Sequence, residues 1–140
     1  MFVDASVIVA ILNQEPGYQE LIKLLDAGGK FHISPLVRFE AVAALTRIHL
    51  EATDHKANRA NTIAESRALV DGFIQALNAR DIVIDTRISL RALDAMASYG
   101  KLAGHPAALN FGDCFAYAAA QTYRLKLAYK GNDFAATDLA

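Results

Sequence analysis

Short apolar runs alternate along this chain with longer segments whose apolar positions return every three or four residues. Phe2-Val3 predicts a first strand, and Ser6 is placed to cap a helix through VIVAILN. A second helix is predicted after Pro16, ending near Gly28-Gly29. KFHIS reads as the second strand, and Pro35 opens a helix through LVRFEAVAALTRIHL. Over residues 57–79, Ile63, Val70, Phe73, Ile74 and Leu77 fall at helical spacing and predict an amphipathic helix. DIVID predicts the third strand and residues 87–99 a further helix. YGKLAGHPAALNFG is a loop holding Gly100, Gly104, Pro106 and Gly112. A helix over 113–123 and a fourth strand in LKLAY follow, the strand running out at Lys130-Gly131-Asn132-Asp133. Strands alternating with helices predict an α/β fold, a mostly parallel sheet covered on both faces. Without an internal repeat, low-complexity tract or Pro/Gly-rich linker, one domain over residues 1–140 is expected.

Composition narrows the class. A 54% hydrophobic content over 140 residues supports a sizeable core and argues against disorder. Fourteen Lys and Arg against fifteen Asp and Glu leave the charge near neutral, which neither proposes nor excludes a nucleic-acid partner. One cysteine excludes an intrachain disulfide and suits the cytosol. The apolar start MFVDASVIVAIL carries Asp4 and no basic stretch, which argues against a secretory signal. No uncharged run approaches the length of a membrane span. A soluble, cytoplasmic protein is expected.

The candidate chemistry lies in carboxylates set among apolar residues. Ligands of parallel sheets bind outside the carboxyl ends of the strands. Asp4 follows the first strand, Asp133 lies just past the fourth, and Asp113 opens the helix before it. Glu40 has Leu36, Val37, Ala43 and Ala44 as its helical neighbours, so it projects into an apolar stripe. Each has an ordinary reading. Asp113 suits an N-cap or first turn, Asp4 a cap, Asp133 a turn with Asn132, and Glu40 a pair with Arg47. Should the four converge, two unit charges about 4 Å apart repel by roughly 4 kcal/mol at an effective dielectric of 20. A hard divalent cation relieves that strain, and Mg²⁺ or Mn²⁺ suits oxygen donors free of thiolate and imidazole. Such an ion can activate water for attack at a phosphodiester, leaving a 5′-phosphate and a 3′-hydroxyl.

The segments FVDASVIVAILNQEP, SPLVRFEAVAAL, YGKLAGHPAALNFGDCFAYAAA and KGNDFAATDL resemble the PIN-domain ribonucleases, specifically the VapC toxins of bacterial toxin–antitoxin pairs. The likeness runs in order from Phe2 to Asp138, and its most specific part is residues 99–120. It implies an α/β/α sandwich, a four-acid site dependent on Mg²⁺ or Mn²⁺, and cleavage of RNA. Those acids fall on Asp4, Glu40, Asp113 and Asp133, both as catalytic and as metal-binding residues. Ser6 matches a small hydroxylated residue that supports the site, and Asp138, beside Thr137, matches a motif near it. Asn132 stands where relatives can carry a second acid. A homodimer and a cognate VapB-type antitoxin are further implications of the resemblance.

Other polar residues carry weaker expectations. His32, His49, His55 and His105 lack metal-ligand spacing and read as structural or exposed, with His105 in a turn beside Pro106. Cys114 reads as a small buried hydrophobe. Arg47, Lys56, Arg59 and Arg67 read as a solvated helical face, and Arg38 and Lys130 as the candidates for phosphate contacts. Two competing functions are a catalytically silent PIN-fold binding module and a receiver-type Mg²⁺-binding signalling domain. The second would need Asp85 as phosphoacceptor and lacks an acid adjacent to Asp4. A haloacid dehalogenase-like phosphatase would want an aspartate where Ser6 stands.

Overall fold

The computed structural model describes residues 1–53 and 58–139, so the expectations for His55 and Lys56 lie outside the described residues. Strand β1 (Phe2–Val3) leads into α1 (Ala5–Leu12) and α2 (Tyr18–Asp26). Strand β2 (His32–Ile33) is followed by α3 (Pro35–Ala52) and α4 (Arg59–Ala76). Strand β3 (Arg80–Asp81) is followed by α5 (Thr86–Tyr99), a 3₁₀ turn at Lys101–Ala103 and α6 (Phe111–Tyr123), and β4 (Leu127–Ala128) completes the sheet. The four strands lie in the order β3-β2-β1-β4, and every pairing is parallel.

That order fixes where a site can form. The chain steps outward from β1 to β2 to β3, then returns across the sheet to place β4 on the other side of β1. Right-handed connections put α1–α4 on one face and α5–α6 on the other. The reversal leaves a crevice beyond the carboxyl ends of β1 and β4, where Asp4 and Asp133 follow their strands. Beneath it lies the buried apolar cluster, which includes Phe2, Val7, Ile8, Ile33, Val37, Leu45, Val70, Ile88, Leu109 and Phe134.

Four local details depart from the sequence reading. Asp4, rather than Ser6, caps α1, its Oδ2 accepting the Ser6 N–H at 2.9 Å. The third strand occupies Arg80–Asp81 instead of the full DIVID segment, because Val83 already faces solvent and Asp85 turns away to cap α5. Helix α6 starts at Phe111, earlier than predicted, because Asn110 caps it. In α4 the buried row is Thr62, Ser66, Val70 and Ile74, which leaves Ile63 half exposed.

Candidate active site

The first acid is set by the shortness of β1. Asp4 comes straight off the strand and is pinned by its backbone N–H to the Ala128 carbonyl of β4 at 3.0 Å. Its carboxylate caps α1 and also accepts the Ser6 hydroxyl at 2.6 Å. The same Ser6 oxygen accepts the Lys130 backbone N–H at 2.9 Å, which ties the end of β4 to the start of α1. Asp4 is 6% exposed, and this burial pushes its pKa upward. The Ser6 hydrogen bonds oppose the shift and the charge of Asp133 adds to it.

Glu40 and Asp113 meet where α3 packs on α6. Ser34 caps α3 and Pro35 occupies its first turn, which sets Val37, Ala41 and Leu45 inward. Glu40 stands at the margin of that buried row, half-buried, and reaches the first turn of α6. Its room there depends on Gly112, where a Cβ would lie 1.9 Å from Glu40 Oε1. Asp113 belongs to a reciprocal capping arrangement. Asn110 Oδ1 accepts the Asp113 N–H at 3.1 Å, and Asp113 Oδ2 accepts the Asn110 N–H at 2.8 Å. The loop before it is closed by the Lys101 N–H on the Leu109 carbonyl and the Leu109 N–H on the Tyr99 carbonyl.

Asp4, Glu40, Asp113 and Asp133 line one cavity of about 610 Å³. Burial raises the Glu40 pKa to about 7, with the charges of Asp4 and Asp113 adding to the effect. Burial likewise raises Asp113 to about 6, opposed by the Asn110 N–H and supported by Asp4 and Asp133. Asp4, Glu40 and Asp113 thus each feel at least one other acid across the cavity. Ser6, Glu15, Phe39, Arg47, Asn110 and Lys130 share the lining.

The donor set fits a hard divalent cation. It is all oxygen, with neither histidine nor cysteine in the lining, and its charge is uncomfortable without a counterion. Among the described residues, no three such groups stand close enough together to grip an ion between them.

Comparison with known proteins identifies the family. The PIN domain family matches residues 1–139. A VapC ribonuclease of Rhizobium meliloti is 67% identical over 139 residues, spanning 99% of this chain and 98% of that one. The chain belongs to the PIN-domain VapC ribonucleases. Ribonuclease VapC42 of Mycobacterium tuberculosis is 34% identical, over 99% of this chain and 96% of its own length. Two solved structures share the PIN fold at low identity. The sarcin–ricin-loop-cleaving toxin VapC20 of Mycobacterium tuberculosis superposes with a TM-score of 0.73 at 13% identity, over 99% of this chain and 95% of that one. A toxin–antitoxin complex from Klebsiella pneumoniae gives 0.65 at 19%, over 99% and 92%.

Against this VapC frame, several expectations for individual residues change. Asp138 is absent from the cavity lining and instead accepts the Tyr117 hydroxyl at 2.6 Å, a contact that helps fasten the segment carrying Asp133. Arg38 is engaged by Asp71 at 2.5 Å and Asp81 at 3.2 Å, away from the cavity. Arg47 takes its place as a lining cation. Among the described residues no ion pair joins Glu40 to Arg47. Asp85 caps α5 through the Ile88 N–H and is absent from the cavity lining, which removes the geometric support for a receiver domain. His105 accepts the Ala107 N–H in its turn, and Cys114 is buried. Glu15, Phe39 and Asn110 were not singled out by sequence. The Asn110–Asp113 spacing of a capping box was the signal available for one of them.

Proposed function

We propose that the cavity lined by Asp4, Glu40, Asp113 and Asp133 is the site at which this VapC ribonuclease cuts RNA with Mg²⁺ or Mn²⁺. The observation that carries the reading is the convergence of four distant acids on one cavity, two of them ionising at about 7 and about 6. The four acids would hold such an ion, which would supply phosphodiester polarisation and a water of lowered pKa, the chemistry of hydrolysis to a 5′-phosphate and a 3′-hydroxyl. Asp4 is oriented by the Ser6 N–H and hydroxyl, both of which donate to its carboxylate. Asp113 is fixed by its helix cap, since capping and ligation use different lone pairs. Glu40 sits over Gly112, and Asp133, exposed at the mouth, closes the set.

The single PIN domain over residues 1–140 is proposed to act in the cytoplasm as the toxin of a VapBC-type pair. A homodimer is proposed as its working form, with a cognate VapB-type antitoxin restraining it. Related structures solved as a toxin–antitoxin complex support the partner.

The test is incubation of antitoxin-free protein with bacterial tRNA and rRNA in Mg²⁺ or Mn²⁺ and, in parallel, in EDTA. Discrete cuts with 5′-phosphate ends, absent in EDTA and in Asp113→Asn, are the expected result. Equal cutting by parent and variant would return Asp113 to the role of a helix cap. No cutting by either would favour the catalytically silent binding module.

A further inference from the structure

The cavity carries an ammonium already committed to an acid outside the four. Lys130 and Glu15 both line it, and their side chains form an ion pair in which each is 30% exposed. Both partners are firmly placed. The Lys130 backbone N–H is bound to Ser6 Oγ at the carboxyl end of β4. Glu15 is held after α1 by its N–H on the Ala10 carbonyl at 2.9 Å and by its carbonyl on the Tyr18 N–H at 3.0 Å. The paired residues are 115 positions apart, so the fold, and not local sequence, brings them together.

An RNA phosphate entering this cavity meets four carboxylates and needs a cation. Arg47 is exposed, whereas Lys130 is anchored at its backbone and shares a hydrogen-bonding serine with Asp4. We propose that Lys130 is the phosphate-binding cation of the site and that Glu15 is its resting partner, exchanged for a phosphate oxygen when RNA enters. Glu15 holds the ammonium at the cavity wall in the free protein. On RNA binding one charge-assisted contact replaces another, and the carboxylate of Glu15 is released to solvent. The inference rests on the ribonuclease reading and deepens it.

The test is RNA binding measured by fluorescence anisotropy with a short labelled single-stranded RNA in Mg²⁺. Every chain carries Asp113→Asn so that the RNA survives, and salt is varied. Loss of one phosphate contact lowers the slope of log K against log salt by about 0.7 for a single strand. Lys130→Gln is expected to show that drop and to bind roughly tenfold more weakly at low salt. Lys130→Arg is expected to keep the parental slope. Lys23→Gln, which removes the same charge from the exposed face of α2, is expected to leave the slope unchanged.

Glu15→Gln is expected to tighten binding several-fold while Lys130 is present, and much less in the double variant with Lys130→Gln. Equal slopes for the Lys130→Gln chain and its parent, or an equal drop for Lys23→Gln, would overturn the assignment of Lys130. A purely additive double-mutant cycle would overturn the exchange with Glu15. RNA binding by none of the chains would overturn the ribonuclease reading itself, which separates that failure from the failure of this inference.

Discussion

Substituting Gly112 by alanine separates stability from function at this site. A Cβ at that position falls 1.9 Å from Glu40 Oε1 and 2.5 Å from its Cδ, inside the 3.0 Å that real Cβ atoms respect. The obstacle is the far end of a flexible side chain, so the carboxylate must swing away by about an ångström or more while the backbone stays. Folding should not suffer. Alanine improves on glycine within a helix by up to about 1 kcal/mol. The displaced carboxylate also leaves a place where burial holds its pKa at about 7. Gly112→Ala is therefore expected to match the parent in melting temperature or exceed it by about 3 °C. RNA cleavage, by contrast, should fall about 100-fold, the cost of a catalytic group misplaced by an ångström. Thermal unfolding followed by fluorescence and gel-resolved cleavage on the same preparations read both quantities. Parental cleavage in Gly112→Ala would refute the role of Glu40. A melting temperature lowered by several degrees would refute the claim that only the side chain yields.

Other perturbations have equally definite signs. In the metal-free chain, Glu40 and Asp113 ionise at about 7 and about 6, above their ordinary values of 4.5 and 3.8. The folded state therefore holds the extra protons between the unfolded and folded values, so stability should be greatest below about pH 4 and decline as pH rises to about 7. After discounting for partial exposure and mutual coupling, the loss is about 2 kcal/mol, measurable by urea unfolding in EDTA. A profile that rises with pH would contradict it. Tyr117→Phe removes the hydroxyl that Asp138 accepts and should cost about 1 kcal/mol in urea unfolding, whereas Asp138→Asn should retain parental Mn²⁺ affinity by calorimetry. Arg38→Gln should lower stability by about 1 kcal/mol and leave RNA affinity unchanged, because its partners are Asp71 and Asp81.

The sequence made the acids legible for a physical reason. Carboxylates at strand ends and inside apolar stripes are costly, and Asp4, Glu40, Asp113 and Asp133 announced that cost one at a time. The parallel α/β alternation was legible in the same way, from short apolar runs separated by helical periodicity. Cation placement was not. Arg38 looked near the site in sequence, yet its side chain is claimed by Asp71, 33 positions on, and Asp81, 43 positions on. Lys130 was a candidate from its neighbourhood, but its partner Glu15 lies at the other end of the chain. The inward face of α4 was misread at Ile63 because Thr62 and Ser66 are buried there. Apolar periodicity cannot register polar residues on a buried row, such as Ser66, which lies 3.5 Å from His49 Nδ1.

The four carboxylates are proposed to serve one metal-dependent cleavage site. Its most direct test follows Mn²⁺ binding by calorimetry and RNA cleavage on gels, with the same preparations of the parent and of Asp4→Asn. The parent is expected to bind Mn²⁺ and to cut only when it is bound, and Asp4→Asn to lose both together. Cleavage that persists in EDTA, or that survives in Asp4→Asn at the parental rate, would contradict the proposal.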